Sequence, residues 1–401
     1  MARRPCSLSA LGVVSCLGAG PSETWRRLAA GDSSRFSERA DLTPGRRLLV
    51  GAVQEPLPEV PSSLARYACR NNALTLAALG QIREPVQAAL ERFGPARVAV
   101  VLGTSTSGVG DAEAAIAHQV RTQSLSPTFF YDQLEFGGAA GFVAELLGLR
   151  GPAYTLSTAC SSGARALASA RSLLALDACD AVIAGATDSL CGLTAGGFGA
   201  LQAIAEGLTN PMSANRGGIT LGEASALFLV TRDEGGVQLQ GVGESSEAHH
   251  MSAPDPEGRG AREAMEGALR DAGCTAGDVA YLNLHGTGTP LNDAMESVAV
   301  AALFGERVPC SSTKPLVGHT LGAAGALEAA FCWLVLRGRE GDELLLPPHA
   351  WDGVADPALP ALRLAAKGER VRAPAPARVM TNSFGFGGNN CTLVLGEGGA
   401  A

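Results

Sequence analysis

A chain of 401 residues with a formal net charge of −8 lacks the basic balance that general nucleic-acid binding needs. Hydrophobic residues make up 46% and charged residues 17%, with 51 glycines, a globular profile with enough apolar mass for a large core. No run reaches the roughly 18–20 apolar residues that span a bilayer. The ten cysteines form no C-x-x-C pair and have no histidine at metal-ligand spacing, which points to a reduced cytoplasmic protein with no metal site.

Charge is uneven. Residues 1–70 hold ten Arg and six Asp or Glu, a net of +4, which leaves −12 for the rest. Such a face could meet an acidic partner or could simply be solvated. Lysine is nearly absent, so Lys314, one of only two, draws attention within a motif.

In chain order, Met1-Ala2-Arg3-Arg4 and the apolar run that follows have the look of a short signal peptide. The run Leu8–Leu17 is broken by Ser and Gly, and it reads equally well as a first buried strand and turn. Arg97–Gly103 is a β-branched strand, 111–121 a helix, Ala153–Ser157 a strand, Ser162–Leu176 an Ala/Leu/Arg helix and Asp180–Ala186 a buried strand. The turn Asp233-Glu234-Gly235-Gly236 then separates two halves, 1–236 and 237–401. Alternation resumes with a strand at 237–242, a helix at 261–272, a strand at 279–284, a helix at 292–304, a helix at 322–337 and strands near 378–381 and 391–395. The pattern is that of an α/β fold with sheets covered on both faces. Residues 339–377, rich in Pro, Gly and charge, read as surface loops.

Four segments carry chemistry. Thr158-Ala159-Cys160-Ser161-Ser162-Gly163 places Cys160 between a strand and a helix N-terminus. Free amides and the helix dipole there favour a thiolate of lowered pKa suited to acyl transfer; the plainer alternative is a buried thiol at a cap. His285, in Asn283-Leu284-His285-Gly286-Thr287-Gly288-Thr289-Pro290, ends a strand, with two threonine hydroxyls able to bind a polar ligand chain; a structural histidine is the alternative. Ser312–Gly325 contains Lys314 and His319 and leads into a helix carrying Glu328. The positive helix end should keep His319 neutral, and charge and spacing suggest that Lys314 pairs with Glu328. Asn382-Ser383-Phe384-Gly385-Phe386-Gly387-Gly388-Asn389-Asn390 is a glycine-rich loop that could aim a backbone amide at an oxyanion, or form a tight turn between strands. Thiol, two imidazoles, lysine and loop together suit carbon–carbon bond formation at a thioester.

In this order the four motifs TACSSG, HGTGTP, STKPLVGHTLGAAG and NSFGFGGNN resemble the β-ketoacyl-acyl-carrier-protein synthases of the FabF/FabB type, within the thiolase-like superfamily. LGLRGPAY, AGATDS, GGFGALQAI and ESSEAHHMSAPDPEG add to the resemblance, which covers essentially the whole chain. It implies a duplicated α/β fold in five layers, αβαβα, with the nucleophile in residues 1–236 and both catalytic histidines in 237–401. It implies an acyltransferase performing a decarboxylative Claisen condensation in fatty acid, polyene or polyketide biosynthesis. Cys160 would take the acyl chain. His285 and His319 would stabilise the malonyl enolate, and the amides of Cys160 and Phe386 would form the oxyanion hole. Lys314 and Glu328 would orient the His319 loop. Thr287 and Thr289 would contact pantetheine, with Phe198, Phe384 and Phe386 at the pocket. The resemblance implies no cofactor beyond the phosphopantetheine of the acyl carrier protein, and a dimer with itself or with a related ketoacyl synthase subunit.

The chain departs from the family pattern at Asn210–Gly218, at Asn389 and in its carrier-docking region, where Arg66 and Arg70 are the available substitutes for the usual lysines. A non-catalytic partner subunit of the same fold would lack Cys160. A thiolase would use a second reactive cysteine, for which Cys391 is the nearest, and a cysteine hydrolase would need one histidine base.

Overall fold

The computed structural model describes residues 5–398. The segment Met1–Arg4, the charged part of the signal-like start, lies outside the described residues. The run that follows it forms a central strand, β1 (Ser7–Ser15), buried along most of its length. A β-branched and aliphatic strand flanked on both sides belongs inside a sheet, which decides between the two readings of that run.

The first half contributes β1, β2 (Val98–Gly103), β3 (Ala153–Leu156), β4 (Ala181–Asp188) and β5 (Ala224–Thr231). They lie in the order β1-β5-β4-β2-β3. The second half contributes β6 (Val237–Ser246), β7 (Tyr281–Asn283), β8 (Cys310–Ser311), β9 (Arg378–Gly385) and β10 (Asn389–Glu397), in the order β6-β10-β9-β7-β8. Counted from the start of each half, the two orders are identical. So are the pairing senses: two antiparallel ladders followed by two parallel ones. The halves meet where β1 touches β6 at Ser7 and Gln238. The fold is thus a duplication that the amino-acid identities do not reveal.

Helices α1 (Arg70–Gln81), α2 (Val109–Thr122), α3 (Phe136–Leu147), α4 (Ser162–Ala175) and α5 (Gly192–Ala200) belong to the first half. Helices α6 (Arg259–Ala272), α7 (Pro290–Phe304) and α8 (Ala324–Arg337) belong to the second. Helix α8 buries 12 of its 14 residues, and a helix apolar all round belongs in the middle of a protein. It packs on α4 and touches strands of both halves. Helices α1 and α3 cover the outer face of the first half, and α6 and α7 that of the second. The layers are αβαβα.

The central helices meet through glycine. A Cβ on Gly163 would lie 2.5 Å from the Ala326 amide nitrogen, and one on Gly325 would lie 2.7 Å from that of Ala164. Only glycine permits backbones to touch this way. The contact matters for the site, because Cys160 precedes α4 and His319 precedes α8. Each follows the third strand of its half, so the two occupy equivalent loops of the duplicated unit.

Two sequence expectations change. Residues 339–377 are not all surface loop: Glu343–Leu345 pairs with Arg370–Arg372, and Leu344, Leu346 and His349 are buried. Prolines and charges mask these single inward positions. Much of the basic N-terminal charge is paired within the chain, with Arg26 and Arg27 on Glu23, Arg35 on Glu55, Arg39 on Asp41 and Arg47 on Glu38. Among the described residues no helix is long and apolar enough to cross a membrane.

Candidate active site

The nucleophile loop is a tight turn. Ala159 adopts φ +52°, a left-handed conformation that costs a non-glycine residue roughly 1–2 kcal/mol. Ser162 closes the turn: its hydroxyl donates to the Ala159 carbonyl at 2.6 Å and accepts the Thr158 amide at 2.8 Å. The sulfur of Cys160 is thereby turned toward the second half, with the Phe386 amide bonded to it. The expectation of a lowered thiol pKa is not met. Burial pushes Cys160 up to about 11, and the charge of Lys314 and the Phe386 amide pull the other way without prevailing. Desolvation outweighs the helix end because the sulfur lies two residues before α4 begins, in a nearly dry pocket.

His319 is pinned by its backbone: its amide donates to Thr220 O at 2.7 Å and its carbonyl accepts from Gly222 at 3.0 Å. Its Nδ1 accepts the Leu321 amide at 3.3 Å, and its Nε2 lies 3.1 Å from Cys160 Sγ. His285 is held by α7, where Glu296 accepts the amides of His285 at 2.8 Å and Gly286 at 2.6 Å. Lys314 Nζ lies 3.4 Å from His285 Nδ1, donates to the His285 carbonyl, and sits 2.5 Å from Glu328 Oε1. The two imidazoles cross at 83° with centroids 5.4 Å apart.

Each Nδ1 therefore faces a donor, so in the neutral ring the proton is on Nε2. Both rings are neutral. Burial and the Lys314 ammonium hold His285 well below the usual imidazole range, with His319 adding to the effect, and the same burial and charge act on His319. Here burial and the lysine, rather than a helix dipole, set the protonation state. The sulfur and one nitrogen of each ring lie within 4.8 Å of one another. With its Nδ1 engaged by the Leu321 amide, His319 presents a protonated Nε2 to the sulfur rather than a lone pair for a metal ion.

These groups line a cavity of about 250 Å³. Thr287, Thr289, Phe198, Phe384 and Phe386 share its wall. Phe384 stacks edge-on against His285 at 6.0 Å, and Phe198 lies 5.6 Å from the half-exposed Phe386. The Phe386 loop is tied to residues 247–251, with the Gly387 amide on Met251 O and the Glu247 amide on Gly388 O. Asn390 is buried and donates to Glu247 at 2.7 Å. Cys391 is fully buried within β10 and away from the cavity wall.

Arg66 and Arg70 are each ion-paired and remain partly exposed. Arg70 is bound to the buried carboxylate of Glu223, and Arg66 to Glu145. Reading the sequence left several supporting groups unassigned. Glu296 is pushed by burial up to about 7. Asn382 donates to Glu296 at 3.2 Å. Asp188 accepts Gly322 N in the His319 loop together with Thr104, Ser105 and Thr106. The available signal for Glu296 was a second carboxylate one turn after Asp293, on the face of α7 that is buried.

The sequence of the chain matches the model "Beta-ketoacyl synthase, N-terminal domain" over residues 4–235 and "Beta-ketoacyl synthase, C-terminal domain" over 237–342. It belongs to the β-ketoacyl synthase family. The chain is 31% identical to the 3-oxoacyl-[acyl-carrier-protein] synthase 2 of Coxiella burnetii, over 98% of this chain and 99% of that one. It is 35% identical to the enzyme of the same name from Rhizobium meliloti, over 72% of each. It superposes with TM-score 0.93 and 44% identity, over 98% of each chain, on a structure of the ketosynthase ApeO in complex with its chain length factor ApeC from Xenorhabdus doucetiae. As a β-ketoacyl synthase, it is a condensing enzyme of the acyltransferase type.

Proposed function

We propose that the chain is a 3-oxoacyl-[acyl-carrier-protein] synthase in which the cavity joining both halves performs a decarboxylative Claisen condensation. One observation carries the reading: the imidazoles of His285 and His319 converge with the sulfur of Cys160 on one cavity wall. The half ending at residue 236 supplies the nucleophile, and the half starting at 237 supplies the histidines.

In the first step the Cys160 sulfur attacks the thioester carbonyl of an acyl-carrier protein. A carbon–sulfur bond forms, the pantetheine sulfur leaves, and it takes up the proton that Cys160 gives up. Malonyl-carrier protein then binds, with Thr287 and Thr289 against its pantetheine arm. The bond to the carboxyl carbon breaks, CO₂ departs, and the electron pair moves onto the thioester oxygen. The Nε2–H groups of His285 and His319 stabilise that enolate, preorganised donors in a low-dielectric site. The enolate carbon attacks the acyl-Cys160 carbonyl. The amides of Cys160 and Phe386 hold the oxyanion, which collapses to expel the Cys160 sulfur. Lys314, paired with Glu328, fixes His285 through its carbonyl. Phe386 and Phe198 gate the acyl pocket, and Phe384 backs His285.

The reading includes an acyl carrier protein as the partner that delivers phosphopantetheine-bound substrates, and a cytoplasmic location. It also includes a paired assembly with a second copy or a related ketoacyl synthase subunit. The complex of the Xenorhabdus doucetiae relative with its chain length factor supports the latter, and the departures from the family pattern at Asn210–Gly218 and Asn389 favour a dedicated pathway such as polyene or polyketide assembly.

Cys160→Gln provides the test. It removes the acyl acceptor but leaves both imidazoles, so it should release CO₂ from malonyl-carrier protein and form no condensed product. Full condensation by this variant would overturn the assignment.

A further inference from the structure

The strap that leaves Leu346 threads one histidine into the core between two loops of the site. His349 is buried and packs edge-on against Trp351 at 5.7 Å. Its Nδ1 accepts the Ser312 amide at 3.0 Å, so its Nε2 bears the proton and donates to Pro211 O at 3.0 Å. Only the neutral ring satisfies both partners, and burial holds its pKa down to about 4.

Both partners lead to His285. The Ser312 hydroxyl donates to the Gly286 carbonyl at 2.6 Å and accepts the Lys314 amide at 3.3 Å. Gly286, at φ +36°, runs so close that a Cβ there would lie 2.5 Å from the Ser312 Cβ. On the other side, Met212 follows Pro211, and its amide donates to Asp293 at 2.8 Å. The same carboxylate accepts the Gly288 amide at 3.1 Å. His349 thus fixes the loop 285–288 from two directions without touching the cavity.

We propose that His349 is a positioning residue that, through Ser312 and Gly286, sets the place of the His285 ring during decarboxylation. This rests on the role given to His285 above. A displacement of about 1 Å far from the chemistry can cost on the order of 10²-fold in rate, and the chain His349–Ser312–Gly286–His285 has no slack bond in it.

The test compares two rates in the full-length protein: CO₂ release from malonyl-carrier protein, and acylation of Cys160 by an acyl-carrier thioester. His349→Leu should lower kcat for decarboxylation by roughly 10- to 100-fold, with KM within about threefold, and leave acylation within about threefold. His349→Asn keeps an acceptor where Nδ1 stood and should restore decarboxylation to within about threefold of wild type. Ser312→Ala should match the Leu variant, and the double variant should be no worse than either, because the two act in series. Should His349→Leu not fold, Ser312→Ala and His349→Asn carry the comparison. Wild-type decarboxylation in the Leu variant, a parallel fall of both rates, or no rescue by Asn would each overturn the proposal. A wild-type protein that releases no CO₂ would instead overturn the function on which it rests.

Discussion

His319 Nε2 stands 3.1 Å from Cys160 Sγ while its Nδ1 accepts the Leu321 amide, so the ring can offer the sulfur a proton but cannot remove one in this tautomer. In the proposed mechanism, acyl loading therefore relies on the departing pantetheine sulfur to take up the thiol proton, and His319 serves the enolate. His319→Ala should lower malonyl decarboxylation by about 10²–10³-fold, the usual loss for one oxyanion donor. Cys160 should still gain the mass of an acyl group, read by intact-protein mass spectrometry. Loss of both together would remove this division of labour.

The thiol itself makes a second prediction. A group raised to about 11 is protonated at neutral pH, and its thiolate fraction grows tenfold per pH unit until that value. Alkylation of Cys160 by iodoacetamide should keep rising from pH 7 to pH 10, where an ordinary cysteine levels off near its pKa of about 8.5. A plateau below pH 8 would mean that the sulfur is far better solvated or better paired than the geometry indicates.

Lys314 acts on all three groups with one charge: it lowers the pKa of Cys160, His285 and His319. Removing it together with its partner, as Lys314→Met/Glu328→Gln, avoids leaving a buried carboxylate unpaired. Both imidazoles then protonate more readily, so the acid limb of the decarboxylation profile should move up in pH. The thiol becomes harder to ionise, so alkylation at fixed pH should slow. Measuring both profiles on one protein tests the sign twice, and opposite movements would contradict the arrangement.

Gly163→Ala should destabilise the protein even though alanine is the better helix former by about 1 kcal/mol. The added methyl would meet the Ala326 amide at 2.5 Å, a backbone contact that cannot swing away. Overpacking of this kind costs about 1–3 kcal/mol. Since the loops bearing Cys160 and His319 lead into α4 and α8, the variant should lose condensing activity beyond what its melting temperature explains. A more stable variant with full activity would show that the helices are not locked there.

Much of this was legible in the sequence because it was written in local signals. The strand–turn–helix around Cys160, the strand end at His285 and the glycine run after Lys314 each announce themselves in a few consecutive residues. What was hidden depends on contacts between distant segments. The thiol's high pKa is a matter of how much protein closes over it. Glu223 captures Arg70 across 153 residues. His349 looked like one polar residue in a proline-rich loop, and Glu296 like a charge on a helix, until the strap and α7 were folded against the site. The duplication was legible only through the family resemblance, for a related reason: strand order and pairing sense repeat, while the side chains that fill the two halves do not.

The equivalence of the two loops has a consequence during synthesis on the ribosome. The segment bearing the thiol emerges long before the segment bearing Phe386, whose amide is bonded to it. Until the later repeat docks, the sulfur has neither imidazole beside it nor the Phe386 amide bonded to it. The groups that surround the thiol are therefore brought together in a single late step, when the second repeat closes on the first.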